Sequence, residues 1–366
     1  MTLLGSVVKS SASISIPTLS EVFSRYPCPA ISTTTIESSR SVVRNIFNGE
    51  DDRLLVVIGP CSIHDCEAAL SYAEKLAPLR QKYKDKLHIV MRAYFEKPRT
   101  TVGWKGLIFD PYLDGSDDLE TGLITARKFL IELNKLELSA ATEFLDLTSF
   151  LYLADLISWG AIGARTTESQ MHRQMSSGLP CPIGFKNGTD GNLKIAIDAM
   201  ESASAPHLYP IPDANGGMCA VKSTGNSSCH VIMRGGKMPN YYHQDISNAT
   251  QQLQQRGLCD KLMIDCSHGN SRKQYNNQLK VADDICRQLA AGSRHIAAVM
   301  VESFLVGGNQ KIRPGHPLVY GQSITDGCIS WQQTEFLLEM LASGVDARRH
   351  MRQLERCIER VSPVNC

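Results

Sequence analysis

Cys61, His268, Glu302 and Asp326 are far apart in the chain, yet three of them fall just past a short apolar run and the fourth lies in a loop after the last run. A thiolate, an imidazole and two carboxylates form a mixed soft and hard donor set. Such a set suits one borderline divalent ion of the Mn, Fe, Co or Zn kind. Any one of these residues alone reads more simply as a packed or hydrogen-bonded side chain; it is their common placement that favours a joint site. A second group is basic. Arg92, Arg165, Lys186 and Arg234 each follow an apolar run, and Lys97 and Arg99 come soon after Arg92 in Glu96-Lys97-Pro98-Arg99-Thr100. Cations converging on one spot repel unless an anionic ligand neutralises them. Guanidinium forks match carboxylate and phosphate oxygens, so a ligand carrying both is implied. For Lys186 a second chemistry is open: a lysine at a strand end can form a Schiff base with a carbonyl substrate.

The elements that must position these groups are eight apolar runs: Leu54–Gly59, His88–Met91, Ser139–Thr142, Ala161–Ala164, Pro182–Phe185, His230–Met233, Leu262–Asp265 and Ala297–Val301. Runs of this length at helix-length intervals read as βα units of a parallel sheet. Eight of them predict a (β/α)8 TIM barrel, whose reactive groups gather at the carboxyl ends of the strands. Apolar spacing predicts helices over Ala68–Leu79, Gly122–Leu136, Phe150–Trp159, Asn192–Ala203, Ser247–Arg256, Gln274–Ala291 and Trp331–Leu341. Two connections are too long for a plain unit. Phe95–Leu119 holds a basic loop, and 206–229 has two alternating runs that predict an inserted β-hairpin. The expected organisation is an N-terminal arm over 1–50, helical in parts from Thr18 to Phe47, a catalytic barrel over 51–350 and a tail over 351–366.

Composition narrows the function classes. With 38 Lys plus Arg against 37 Asp plus Glu, a net charge of +1 argues against a nucleic-acid or membrane-surface role, and any positive field is local. Hydrophobic residues make up 43% of 366, enough to fill one large core. Twelve cysteines without a Cys-x-x-Cys pair read as reduced thiols of a cytoplasmic protein. The glycosylation-like triplets at Asn187, Asn226 and Asn248 are then chance. The first 20 residues, Ser-rich with Lys9 as their one charge, read as a flexible or partner-docking arm.

Several long motifs now match a family in order. Ile58-Gly59-Pro60-Cys61-Ser62-Ile63-His64-Asp65, Arg92-Ala93-Tyr94-Phe95-Glu96-Lys97-Pro98-Arg99-Thr100, Gly163-Ala164-Arg165-Thr166-Thr167-Glu168-Ser169, Gly184-Phe185-Lys186-Asn187-Gly188-Thr189-Asp190-Gly191, Asp265-Cys266-Ser267-His268-Gly269-Asn270 and Ser323-Ile324-Thr325-Asp326 resemble type I 3-deoxy-D-arabino-heptulosonate 7-phosphate (DAHP) synthases from about residue 20 to about 350. The resemblance implies a transferase that condenses phosphoenolpyruvate with erythrose 4-phosphate and water, releasing phosphate, as the first step toward chorismate. It implies that Arg92, Lys97, Arg165, Lys186 and Arg234, with Gly163 and Ala164 backbone, hold phosphoenolpyruvate, and that Glu143 lies near the attacking water. Lys97, Pro98, Arg99 and Thr100 would hold the sugar phosphate, and an ion on Cys61, His268, Glu302 and Asp326 would polarise the aldehyde. A homodimer or homotetramer is expected.

The phenylalanine-inhibited members carry acidic residues in the N-terminal arm, whereas here no Asp or Glu precedes Glu21. The loop Asp213-Ala214-Asn215-Gly216-Gly217 looks like that of tryptophan-inhibited members, which favours tryptophan over tyrosine as effector. By similarity its pocket involves Leu147, Phe150, Leu151, Leu179, Tyr209, Ile211 and Val221. Two other classes fit the residues less well. A metal-dependent barrel hydrolase would need fewer cations around its ion, and a non-catalytic amino-acid sensor would tolerate loss of donor residues that are all present.

Overall fold

The computed structural model describes residues 8–9, 13–313 and 315–361. Half of the Ser-rich arm and the last five residues of the expected tail therefore lie outside the described residues. Two helices come first, α1 (Leu19–Arg25) and α2 (Ala30–Asn48). The chain then runs β1 (Leu54–Gly59), α3 (Cys66–Lys82), β2 (Leu87–Arg92), α4 (Leu119–Lys135), β3 (Ala140–Glu143), β4 (Trp159–Ile162), α5 (Gln170–Gly178), β5 (Ile183–Lys186) and α6 (Lys194–Ser204). There follow β6 (Leu208–Pro212), β7 (Met218–Lys222), β8 (Cys229–Met233), α7 (His243–Gln255), β9 (Leu262–Asp265), α8 (Gln278–Ala290), β10 (Ile296–Glu302), β11 (Val306–Asn309), β12 (Gln322–Ser323) and α9 (Trp331–Val361).

Strands β1, β2, β3, β4, β5, β8, β9 and β10 close a barrel in that order, and every neighbouring pair is parallel. Because both faces of each strand are covered, the runs are apolar throughout rather than alternating. Leu55, Val57, Val90, Ala141, Trp159, Ala161, Ile232, Met263, Ala298 and Met300 cluster together, and the last turns of α2, with Val43, Ile46 and Phe47, join them from the amino end of the barrel. There Phe47 stacks on His230 at 3.6 Å, and the Trp159 Nε1–H donates to His230 Nε2 at 3.1 Å. Burial holds the His230 imidazole down at about 3, so this histidine is a neutral packing group.

The inserted hairpin is real: β6 and β7 pair antiparallel, with Tyr209 opposite Val221 and Ile211 opposite Cys219. The N-terminal extension grips its tip. Ser20 N–H donates to Ala214 C=O at 2.8 Å and Ser20 Oγ to Asn215 Oδ1 at 3.0 Å. A capping box between Thr18 and Glu21 starts α1, and such a cap contributes about 1 kcal/mol to a helix.

The helix expected over Phe150–Trp159 does not form. In its place stand two short 3-10 turns, Ser149–Tyr152 and Ala154–Leu156, and Trp159 already belongs to β4, which begins two residues before the expected strand. The reason is tertiary. Side chains of Arg127, Arg40 and Asn134 donate to the Tyr152, Ala154, Leu156 and Ile157 carbonyls, so these groups need no helical partners. Helix α5 had no apolar signature because the side chains it buries, apart from Met175, are His172, Ser176 and Ser177. The last helix runs unbroken past residue 350 to Val361, well beyond the expected Leu341.

Candidate metal and anion site at the barrel mouth

Parallel closure brings the residues after each strand to one end. Cys61 follows β1 through Gly59 and Pro60, and Gly59 sits at φ 152, where an added Cβ would lie 3.0 Å from the Arg92 carbonyl oxygen. Glu302 ends β10. Asp326 reaches in from the loop after β12, which is tied down where Ser62 Oγ meets Thr325 Oγ1 at 2.7 Å and Asn309 Nδ2 donates to Thr325 C=O at 2.7 Å. The result is that Cys61 Sγ and one carboxylate oxygen each of Glu302 and Asp326 lie within 4.8 Å of one another. His268 stands alongside, its Nε2 3.9 Å from Glu302 Oε1 and its Nδ1 2.9 Å from Asp265 Oδ2. A carboxylate behind the far nitrogen is the usual support of a metal-bound imidazole, and it leaves Nε2 on the side of Glu302. His268 occupies the left-handed region at φ 55, a strain that its surroundings must hold.

The donor set fits a divalent ion on its chemistry. Burial, with Glu302 and Asp326 nearby, pushes the Cys61 thiol up to about 11, so without a cation it stays protonated; a bound cation favours the thiolate. Lys97 Nζ lies 3.1 Å from Cys61 Sγ and 3.4 Å from its carbonyl oxygen. Burial would lower the Lys97 ammonium, but Cys61, Glu302 and Asp326 raise it above the ordinary range and keep it charged.

The cations assemble around this centre. Arg92, 1% exposed at the end of β2, donates through Nε to Pro60 C=O at 3.3 Å, approaches Glu302 Oε1 at 3.5 Å through Nη2, and stacks 3.8 Å over the Tyr94 ring. Its Nη1 is buried with no protein partner, a donor held ready for an acceptor. Lys186 Nζ lies 3.0 Å from Asp265 Oδ2, the oxygen that His268 also contacts. Burial works against the Asp265 carboxylate, yet His268 and Lys186 hold it well below the usual range. Arg234 is half-buried; its N–H donates to Asn187 Oδ1 at 2.8 Å and its Nη1 to Gly235 C=O at 3.2 Å. Burial lowers the Arg234 guanidinium, opposed by Asp265 and reinforced by Arg165. Glu143, at the end of β3, keeps Oε1 buried without a partner, and an added Cβ on Gly163 would sit 2.1 Å from that oxygen. Gly163 and Ala164 lie directly beyond β4.

The loop-borne residues are differently placed. Arg165, Arg99 and Thr100 are exposed and Pro98 half-buried; Arg99 Nε donates to Trp104 C=O at 2.7 Å. Of the residues expected around an effector, Phe150 and Leu179 are buried in the main core, while Leu147, Leu151, Tyr209, Ile211 and Val221 keep partial exposure. The Tyr209 hydroxyl abuts Gly178, where a Cβ would approach it to 2.3 Å.

Several supporting residues carried no signal of their own in the sequence. Asp265 read as a strand end and is the shared anchor of Lys186 and His268. Gln278 pairs its side-chain amide with both Glu302 N–H and C=O, at 2.8 and 2.9 Å. Asn187, Asn240 and Asn270 link the backbones of Arg234, Gly235 and Asp265. Glu96 accepts from Ser149 Oγ at 3.0 Å, joining the Lys97 loop to the first 3-10 turn; burial and Asp146 push its carboxyl up to about 7.

Comparison with known proteins agrees with this architecture. The DAHP synthetase I family model matches residues 30–339. The chain is 55% identical over 334 residues, 91% of its length and 96% of the relative's, to the Trp-sensitive phospho-2-dehydro-3-deoxyheptonate aldolase of Escherichia coli (strain K12). It is 54% identical over 325 residues, 89% and 93% of the two chains, to the Phe-sensitive one from the same strain. A solved phospho-2-dehydro-3-deoxyheptonate aldolase from Francisella tularensis SCHU S4 superposes with a TM-score of 0.91 at 45% identity, covering 93% of this chain and 99% of that one.

Proposed function

The chain belongs to the DAHP synthetase I family, and from that premise we propose that it condenses phosphoenolpyruvate with erythrose 4-phosphate and water to give DAHP and phosphate, at the head of the route to chorismate and the aromatic amino acids. The observation that carries the reading is the meeting, at one barrel mouth, of the Cys61, Glu302 and Asp326 donors with Arg92 and Lys97, and of His268 with Lys186 across Asp265. A metal hydrolase has no use for so dense a ring of cations. A substrate bearing carboxylate and phosphate together with a second phosphate does.

Arg92, Lys97, Arg165, Lys186 and Arg234, with Gly163 and Ala164 backbone, bind phosphoenolpyruvate, the orphaned Nη1 of Arg92 being a natural donor to one of its oxygens. Lys97, Pro98, Arg99 and Thr100 receive erythrose 4-phosphate. Cys61, His268, Glu302 and Asp326 would hold one Mn, Fe, Co or Zn ion, which when bound supplies Lewis acidity to the aldehyde oxygen. Carbon 3 of phosphoenolpyruvate forms the new bond to the aldehyde carbon. Lys97, kept protonated by its acidic neighbours, gives its proton to the alkoxide oxygen that develops. Water adds at carbon 2, near the unpartnered Glu143 Oε1, and phosphate leaves from the resulting hemiketal. No described helix is long and apolar enough to cross a membrane, in keeping with work on small soluble metabolites in the cytoplasm. An aromatic amino acid, tryptophan before tyrosine, would bind the apolar surface between the hairpin and Leu147 and Leu151, in a homodimer or homotetramer.

Phosphate release on mixing the two substrates tests the reading. We expect turnover that excess chelator abolishes and Mn, Co or Fe restores. Full activity in chelator would overturn the metal assignment, and no phosphate release under any loading would overturn the reaction.

A further inference from the structure

At the other end of the barrel, the amino ends of β1, β9 and β10 and the far half of α9 enclose a cavity of about 320 Å³. Arg53, Lys261, Arg294, Arg348, Arg352 and Arg356 line it, against only two acids, Asp51 and Asp52. Those acids are already engaged. Asp51 pairs with Arg53, and Asp52 is held by both Nε and Nη2 of Arg349. Arg294 has its own partner in Glu355 at 2.8 Å, and Lys261 Nζ donates to the Arg294 carbonyl at 2.7 Å.

Arg348 and Arg352 are left over. Arg348 is 3% exposed and donates to the Ile296 and Asp52 backbone carbonyls at 3.1 and 2.6 Å. Among the described residues no carboxylate is in ion-pair contact with either guanidinium, and the Nε of each is buried with no hydrogen-bond partner. A buried guanidinium such as that of Arg348 beside other cations is costly, and an unmet donor adds to the cost. The strain is visible in Arg348, which burial, Arg352 and Arg349 together push down to about 10. One multivalent anion would relieve both terms, since its oxygens can accept from several forks at once.

We propose that this cavity at the floor of the barrel binds a small polyanion, a phosphate- or carboxylate-bearing metabolite, with Arg348 and Arg352 as its main donors. Its volume is at the lower end for small-molecule sites. The site is separate from the mouth by the length of a strand, roughly 20 Å. Arg348, Arg352 and Arg356 lie beyond residue 339, where the match to the family ends. An occupant would bridge β1 and β10 to α9 and so stabilise the folded chain by mass action.

The test uses the full chain, metal-loaded, with Arg234→Ala introduced to weaken the mouth, and labelled inorganic phosphate as probe in equilibrium dialysis at fixed ionic strength. Saturable binding is expected, at least tenfold weaker once Arg352→Gln is added and weakened less by Arg356→Gln. Unlabelled succinate distinguishes the sources: displacement assigns the site to carboxylates as well, and no displacement assigns it to phosphates. With Arg234 intact, Arg352→Gln should leave kcat and both KM values within about twofold, which also shows that the variant folds. No saturable binding in the Arg234→Ala protein, or equal binding with and without Arg352→Gln, would sink the proposal.

Discussion

The barrel mouth has two kinds of cation, and they differ in what holds them. Arg92 and Lys186 end strands, are almost wholly buried and are fixed by Glu302, Tyr94 and Asp265. Arg99 and Arg165 ride on loops, are exposed, and form no ion pair with any described carboxylate. The strand-borne half is therefore preorganised to receive its ligand, and the loop-borne half must order around its own. Preorganised contacts act on the transition state from the start, whereas a mobile contact spends part of its binding energy on ordering.

The sharpest way to break this comparison is at Cys61 and Glu302, the buried metal donors presented by β1 and β10. Cys61→Ser should weaken metal affinity by more than a hundredfold, and Cys66→Ser, a half-buried first residue of α3, should leave it nearly unchanged. Calorimetric titration with Mn would show it; equal losses would mean that Cys61 is not a ligand.

Next come the cations. Arg92→Ala or Lys186→Ala strands a buried acid as well as removing a contact, so a cost of about 2 to 5 kcal/mol, roughly 30- to 4000-fold in kcat/KM for phosphoenolpyruvate, is expected. Arg165→Ala should follow the same substrate with a smaller loss. Arg99→Ala should raise KM for erythrose 4-phosphate by about tenfold with little change in kcat. If steady-state kinetics gave equal losses for buried and exposed members, the contrast between preformed and adaptable halves would be wrong.

How much of this was readable beforehand follows the same division. An apolar run ending in one polar residue marks a strand end, so Cys61, Arg92, Glu143, Lys186, Arg234 and Glu302 were legible, and with them the barrel. What sequence could not carry were residues whose role depends on a distant partner. Asp265 is a strand-end acid until Lys186 and His268 meet on it. Leu156 and Ile157 look helical until Arg40 and Asn134 take their carbonyls. The polar helix α5 buries serines against the hairpin through Ser177 and Ser223, a contact no periodicity announces.

Glu96 sharpens the comparison through pH, since it joins the loop-borne half to the 3-10 turns. Its folded carboxyl, at about 7, is above its ordinary value near 4.5, so the folded state binds the proton more tightly. Stability from this group is therefore full below about pH 4.5, falls as pH rises from there to about 7, and stays lost above; the loss is up to about 3 kcal/mol. Glu96→Gln should flatten the fall in Tm over that window. An unchanged pH dependence would remove Glu96 from the account.

The smallest effect is expected at the hairpin. Val221→Ala should raise the tryptophan concentration needed for half inhibition a few-fold while leaving uninhibited turnover intact, because it trims an apolar wall and touches no substrate. Inhibition curves with each aromatic amino acid decide this, and inhibition by phenylalanine alone would overturn the preference for tryptophan.

Gln278 has a consequence in time rather than in affinity. Strand β9 pairs with β10 only as far as Met300, two residues short of Glu302, and the Gln278 amide supplies what the next residue of a neighbouring strand would have offered. The first residue of an outer helix thus serves as a surrogate rung of the ladder. The Glu302 amide hydrogen should consequently exchange with solvent water at the pace of the barrel wall, in hours or days, and not at the pace of the loops that surround it.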